Sequence, residues 1–155
     1  MNVRHDMVTV FIARPDSSGK SHELLQLRRV EQSYMGGTWQ TVRGKIKPGE
    51  TAVQAALREL KEETGLTPVE FYRLTNLESF YTLPDDTIWH SPVFFALVAP
   101  DAGIHLNHEH DAHRWVAFDN VNNSFMWPRE RELIAEIRAE ILSPGLAKPH
   151  LIIKL

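Results

Sequence analysis

Residues 44–66, GKIKPGETAVQAALRELKEETGL, carry two backbone signals and a cluster of acids, and how they are read decides the fold. Gly44 and Gly49 flank Pro48, which has no backbone donor, so the spacing predicts a loop over 44–49. Beyond residue 50 the chain is rich in helix formers. Thr51 suits an N-cap, and Gly65 followed by Pro68 is a stop signal, so a helix is expected over 51–64.

At the helical period, Val53, Ala56, Leu57, Leu60 and Thr64 form one stripe, which should face a core. Glu59, Glu62 and Glu63 fall beside it within roughly a 100° arc. Like charges so spaced repel, and Arg58 and Lys61 are the only cations nearby, so a positive species is expected between the acids. Oxygen ligands favour a hard divalent cation, Mg²⁺ or Mn²⁺, over zinc. Ala52 and Ala55 project on the same side one or two turns earlier, leaving room for the 44–49 loop or a phosphate.

The rest of the chain narrows the class. Its 155 residues, 43% hydrophobic, suffice for one domain, 1–155, with a sizeable core. A net charge of −3 gives no footprint for duplex nucleic acid, and zero cysteines exclude a disulfide framework or a thiol nucleophile. No apolar run approaches the roughly 20 residues that cross a bilayer, so a soluble, cytoplasmic protein with no membrane partner is expected.

Working outward, residues 7–13 (MVTVFIA) and 22–30 (HELLQLRRV) read as a hairpin of two strands, placing Arg28 and Arg29 at its far end. Adjacent strand residues face opposite ways, so at least one of these arginines is available to a phosphate. Residues 38–43 (TWQTVR) read as a strand leading into Gly44, with Trp39, Thr41 and Arg43 on one face and Gln40 and Val42 on the other. Strands are expected within 69–83 and over 87–98, the latter with an edge or bulge at Pro92. A polar loop over 120–126 precedes a helix from Pro128 to about residue 142, striped by Leu133, Ile134, Ile137 and Ile141 and ended by Ser143-Pro144-Gly145. The tail HLIIKL either adds an edge strand or covers a homodimer contact. His105, His108, His110 and His113 lack the spacings of a zinc site.

The pattern Gly44, five residues, Glu50, seven residues, Arg58-Glu59-Leu60, one residue, Glu62-Glu63, one residue, Gly65-Leu66 resembles the Nudix box at every defined position. The resemblance implies an α/β fold, an α/β/α sandwich with a central mixed sheet, and divalent-metal-dependent hydrolysis of a nucleoside diphosphate linked to another moiety. It further implies that Glu59, Glu62 and Glu63 hold the metal, that Arg58 orients a carboxylate and that Glu50 braces the loop. It assigns a metal-binding carbonyl to Arg43, where the family commonly has a small residue. Glu109, in the segment E-H-x-x-x-x-W, resembles the further acid that many members place near the metals; Glu62 and Glu109 are both candidates for the general base.

The run T-W-Q-x-V-x-G before the box, with the E-H-x-x-x-x-W segment and a late W-x-x-x-x-x-x-I, looks like the bacterial dihydroneopterin triphosphate or dATP diphosphohydrolase branch. That implies a nucleotide or pterin triphosphate cleaved to monophosphate and pyrophosphate, with Arg28, Trp39, Gln40, Arg43 and Tyr81 as substrate contacts; Phe80, Trp89 and Trp127 are further aromatics able to stack on a base. Tyr81 also lies near a tyrosine typical of dinucleoside polyphosphate hydrolases, the alternative enzyme. A non-catalytic nucleotide sensor is the alternative of another class; the intact box acids argue against it. Isopentenyl diphosphate isomerase, a relative in fold, needs a cysteine that this chain lacks.

Overall fold

The computed structural model of the protein describes residues 1–143 and 145–155. Its strands are β1 (Asn2–Arg4), β2 (Met7–Pro15), β3 (His22–Arg29), β4 (Trp39–Gln40), β5 (Val42–Lys45), β6 (Glu70–Arg73), β7 (Glu78–Thr82), β8 (Thr87–Ser91), β9 (Val93–Leu97), β10 (His110–Ala117) and β11 (Ile152–Ile153). The helices are α1 (Ala52–Thr64), α2 (Val121–Ser124), α3 (Pro128–Ile137) and α4 (Lys148–Leu151), and a π-helical turn, Arg138–Leu142, prolongs α3. The main sheet is mixed, in the order β10-β3-β2-β9-β6-β11, with β4 on β3 and β5 on β2; a smaller sheet runs β1-β8-β7.

Alternation along β2 builds the layers. Val8, Val10 and Ile12 face one way, into a core with Ala55, Ala56 and Leu60 of α1, while Phe11 and Ala13 face the other, into a core with Leu133, Ile134 and Ile137 of α3. The result is the expected α/β/α sandwich with a mixed central sheet. Each fully buried Val, Leu, Ile or Phe among these stabilises the fold by about 1.5–3 kcal/mol. Among the described residues no helix is long and apolar enough to cross a membrane.

Helix α1 starts and stops where the sequence places it. Thr51 accepts from the Gln54 amide while Gln54 reaches back to the Thr51 amide, and Gly65 closes the helix with φ 74, a left-handed conformation that suits glycine. Ala56, Leu60 and Thr64 are buried as expected, but so are Ala55 and Glu63. The packed arc is wider because residues 104–110 cover the flank beyond the stripe: Ile104 and Leu106 join this core, and the His105 amide donates to the Thr64 carbonyl at 2.8 Å.

Four local expectations are corrected. Residues 44 and 45 belong to β5, paired with Val8 and Met7, so the loop begins only after Lys45. The strand expected over 38–43 breaks at Thr41, whose hydroxyl donates to the Val10 carbonyl at 2.5 Å. This break cancels the simple alternation, and Gln40 ends up bonded to Arg43. Pro92, which cannot donate to a ladder, splits the 87–98 strand between the two sheets: β8 lies in the small one and β9 pairs in parallel with β2. Within 120–126, Val121–Ser124 is a helical turn because Val121 and Phe125 drop into the α3-side core. The α3 stripe is buried as predicted, and the tail adds β11 to β6 at the sheet edge. The expected stop at Ser143-Pro144-Gly145 includes Pro144, outside the described residues.

Candidate metal centre

Arg58 organises the box. Its Nε and Nη2 donate to the two Glu50 carboxylate oxygens at 2.7 and 2.9 Å, and Nη2 also donates to the Lys45 carbonyl at 2.8 Å. Nη1 donates to Glu59 Oε1 at 2.7 Å and to Glu62 Oε2 at 3.2 Å. A planar guanidinium can hold that many fixed acceptors at once. The Glu50 hydrogen bonds raise the Arg58 pKa, and the Arg58 hydrogen bonds hold Glu50 down to about 2. Glu59 is pushed above its ordinary value by burial, against the pull of Arg58. Its carboxylate fills the space where a side chain on Gly44 would stand.

One helical turn on, Glu63 meets the start of β10. Ligand atoms of Glu63, Glu109 and His110 lie within 4.8 Å of one another. Two contacts place this end of β10: the Val30 amide donates to the Glu109 carbonyl at 3.1 Å, and the Glu109 amide donates to Asn107 Oδ1 at 3.1 Å. Glu63 is 2% exposed, and its Oε2, like His110 Nδ1, has no hydrogen-bond partner. Burial, then the neighbouring Glu109 carboxylate, pushes Glu63 up to about 10. Burial, then the Arg29 charge, lowers His110. His110 Nδ1 lies 3.8 Å from Glu63 Oε1. A buried, unpartnered carboxylate oxygen next to a second acid is a hard-donor set that a divalent cation satisfies.

Of the residues proposed as substrate contacts, Arg28 lies against Trp39 and Gln40 against Arg43, while Tyr81 stands apart. Arg28 donates to Asp111 at 2.8 Å and lies near the Trp39 ring, so it points away from Glu63; Arg29, one residue on, is the arginine whose charge reaches Glu63 and His110. Trp39 carries the Arg114 guanidinium 4.2 Å from its ring centroid. Gln40 accepts from Arg43 at 3.1 Å and donates to Thr38 at 2.9 Å. The Arg43 side chain turns to the α3 side, where it contacts Glu78 at 2.5 Å and Glu130 at 3.2 Å. Burial works to lower the Arg43 pKa, but the two carboxylates outweigh it and the value rises. Tyr81 sits on the small sheet and donates to Asp86 at 3.0 Å. Phe80 stacks on Trp89, and Trp127 is 43% exposed.

Sequence reasoning singled out neither Glu78, Glu130 nor Arg114, and gave His110 no place at the metal. The adjacency of His110 to Glu109 was the one available signal; Arg114 meets Gln26 through strand pairing, and Glu78 and Glu130 reach Arg43 from β7 and α3 through packing. The four histidines do not gather, since His110 alone joins the group with Glu63.

Comparison with known proteins places the chain in a family. The NUDIX domain model matches residues 3–137. The 8-oxo-dGTP diphosphatase of Escherichia coli is 31% identical over 119 residues, covering 77% of this chain and 88% of that protein. The octanoyltransferase of Myxococcus xanthus is 39% identical over 113 residues, 71% of this chain, but the match spans only 30% of that longer protein. Among solved structures, a C. elegans Ap4A hydrolase binary complex aligns with TM-score 0.72 at 22% identity, covering 87% of this chain and 96% of the other. The E. coli dihydroneopterin triphosphate pyrophosphohydrolase aligns with TM-score 0.67 at 23% identity, covering 85% and 95%. Box, sandwich and family model coincide on the same residues, and the chain belongs to the Nudix hydrolase family.

Proposed function

We propose that residues 1–155 form one metal-dependent pyrophosphohydrolase domain that cleaves a nucleoside or pterin triphosphate between its α and β phosphates, giving the monophosphate and pyrophosphate. The observation that carries this reading is the buried Glu63 carboxylate, unpartnered at Oε2 and facing Glu109. Glu59, Glu62, Glu63 and Glu109 would hold Mg²⁺ or Mn²⁺, with the Arg43 carbonyl at the neck of the box. The cation would neutralise phosphate oxygens and lower the pKa of water at the site.

The chain's own residues do the rest. Arg58 fixes Glu59 and Glu62 and pins the 45–50 loop through Glu50 and Lys45. Arg29 supplies positive charge beside Glu63, where phosphate oxygens would lie. Glu62, whose side chain is 49% exposed, and Glu109 are the two acids able to take a proton from water.

The E. coli relative's name, 8-oxo-dGTP diphosphatase, supports a triphosphate substrate. The dinucleoside polyphosphate reading rests on Tyr81, whose hydroxyl is engaged by Asp86, and takes second place. The test is product analysis with Mg²⁺: release of pyrophosphate from dATP, dGTP or dihydroneopterin triphosphate is expected. ATP released from diadenosine tetraphosphate, with those triphosphates untouched, overturns the reading. Tight nucleotide binding with no metal-dependent turnover anywhere in the panel would assign a sensor. Between Glu62→Gln and Glu109→Gln, the variant that keeps metal affinity but loses about a hundredfold or more in kcat identifies the base.

A further inference from the structure

Four polar residues that the sequence nominates as substrate contacts are engaged by partners inside the protein. Arg28 is held by Asp111, both ends of the Gln40 amide are bonded, Arg43 lies between Glu78 and Glu130, and the Tyr81 hydroxyl binds Asp86. Arg114 is different. Its Nε donates to Gln26 Oε1 at 2.9 Å, and Gln26, fully buried, is itself anchored by Nε2 donating to the Ser124 carbonyl at 3.0 Å. The guanidinium packs against the Trp39 ring at 4.2 Å. Among the described residues no carboxylate pairs with it, and its two terminal nitrogens make no hydrogen bond. A half-buried cation held at one edge and on one face, with its outer fork free, is a preorganised donor pair.

β10 is the edge strand of the main sheet, so a ligand anchored at the metal centre on the α1 side can pass the start of this strand and reach Arg114 on the other face. Arg114 pairs with Gln26 across the β10–β3 ladder, on the α3 side of the sheet, four residues beyond His110. Because of the bulge between His110 and Ala112, Arg114 stands three ladder positions from His110, roughly 10 Å along the sheet, comparable to the separation of phosphates and ring in a nucleoside triphosphate. Met126, 45% exposed, contacts the neighbouring Gln40 and adds an apolar surface there.

We propose that Arg114 reads the substrate's ring, donating its two free nitrogens to the adjacent carbonyl oxygen and ring nitrogen of a 6-oxopurine or a 4-oxopteridine. This rests on the triphosphate reading above. A guanidinium fork matches two neighbouring acceptors, whereas adenine presents an acceptor beside a donor amine.

The test is calorimetric binding of the α,β-methylene analogues of dGTP and dATP, with Mg²⁺, to the wild type, Arg114→Lys and Arg114→Gln, alongside their melting temperatures. The wild type is expected to bind the oxo ring about ten- to a hundredfold more tightly, the range one bidentate contact gives. Arg114→Lys, which keeps the charge and loses the fork, should abolish that preference while lowering the melting temperature only by the few degrees that loss of the Gln26 bond costs. A wild type without the preference, or an Arg114→Lys that retains it, overturns the proposal. Equal loss of both analogues in Arg114→Gln alone would assign Arg114 to a phosphate and also overturn it. Competition by dihydroneopterin triphosphate against dGTP separates the pteridine from the purine. Because binding is read without turnover, a failed pyrophosphate assay counts against the proposed reaction and leaves this outcome legible.

Discussion

The Glu59 carboxylate lies directly against the backbone of Gly44, so that a methyl group on that glycine would overlap it. The glycine is therefore required for space: φ is not positive there, and the strand conformation of β5 suits any residue. The obstacle is the far end of a flexible side chain, so substitution should move the acid more than it harms the fold.

Gly44→Ala is expected to lose about a hundredfold in kcat, the order that a displacement near 1 Å costs, with a melting temperature only slightly lowered. Pyrophosphate release and thermal unfolding on the same preparation check this; full activity would show that Glu59 need not stand where it does.

Arg58→Lys keeps a charge but loses the fork that joins Glu50, Lys45, Glu59 and Glu62. Replacing these charge-assisted bonds by one ammonium should cost about 2 kcal/mol in urea unfolding and leave the 45–50 amides exchanging faster with solvent. Unchanged exchange in that loop would contradict the bracing role of Glu50.

Removing Arg43 should be costly for a different reason. Glu78 and Glu130 are 2% and 1% exposed, and without the guanidinium two carboxylates face each other away from water. Arg43→Met is expected to destabilise by about 3–5 kcal/mol, and adding Glu130→Gln should restore part of the loss. Urea midpoints of the single and double variants measure both.

Glu63 makes stability and metal uptake depend on pH. Its pKa is about 10 in the folded, metal-free protein and about 4.3 in an unfolded chain, so between these values the folded state holds the extra proton. The contribution is fully present below pH about 4.3 and is lost as pH rises towards 10; Glu63→Gln should flatten that slope. A bound cation displaces the proton, so Mn²⁺ uptake at pH 7 should release about one proton and tighten with rising pH. Calorimetry in two buffers of different ionisation enthalpy counts it; a count of zero removes Glu63 from the site.

Local chemistry made much of the molecule legible in advance. The caps of α1, the stripe of α3 and the β2–β3 hairpin follow from neighbours within a few residues, and so does the spacing of Glu59, Glu62 and Glu63. What failed were inferences that needed a second segment. Alternation over 38–43 ignored the break at Thr41, and the facing of Arg28 against Arg29 was left open because a strand does not announce which side is covered. Glu63 was expected beside the core stripe, whereas residues 104–110 bury it.

By itself the sequence determined the box helix and the spacing of its acids, because these depend on short-range periodicity and backbone freedom, while its resemblance to the Nudix box implied the α/β/α layering. Only the tertiary structure decided that Glu109 and His110 meet Glu63, that Arg43 is neutralised by Glu78 and Glu130, and that Arg114 keeps a free edge. Those relations depend on strand register and on competition among distant partners for each charge, and neither is written in the spacing of any one segment.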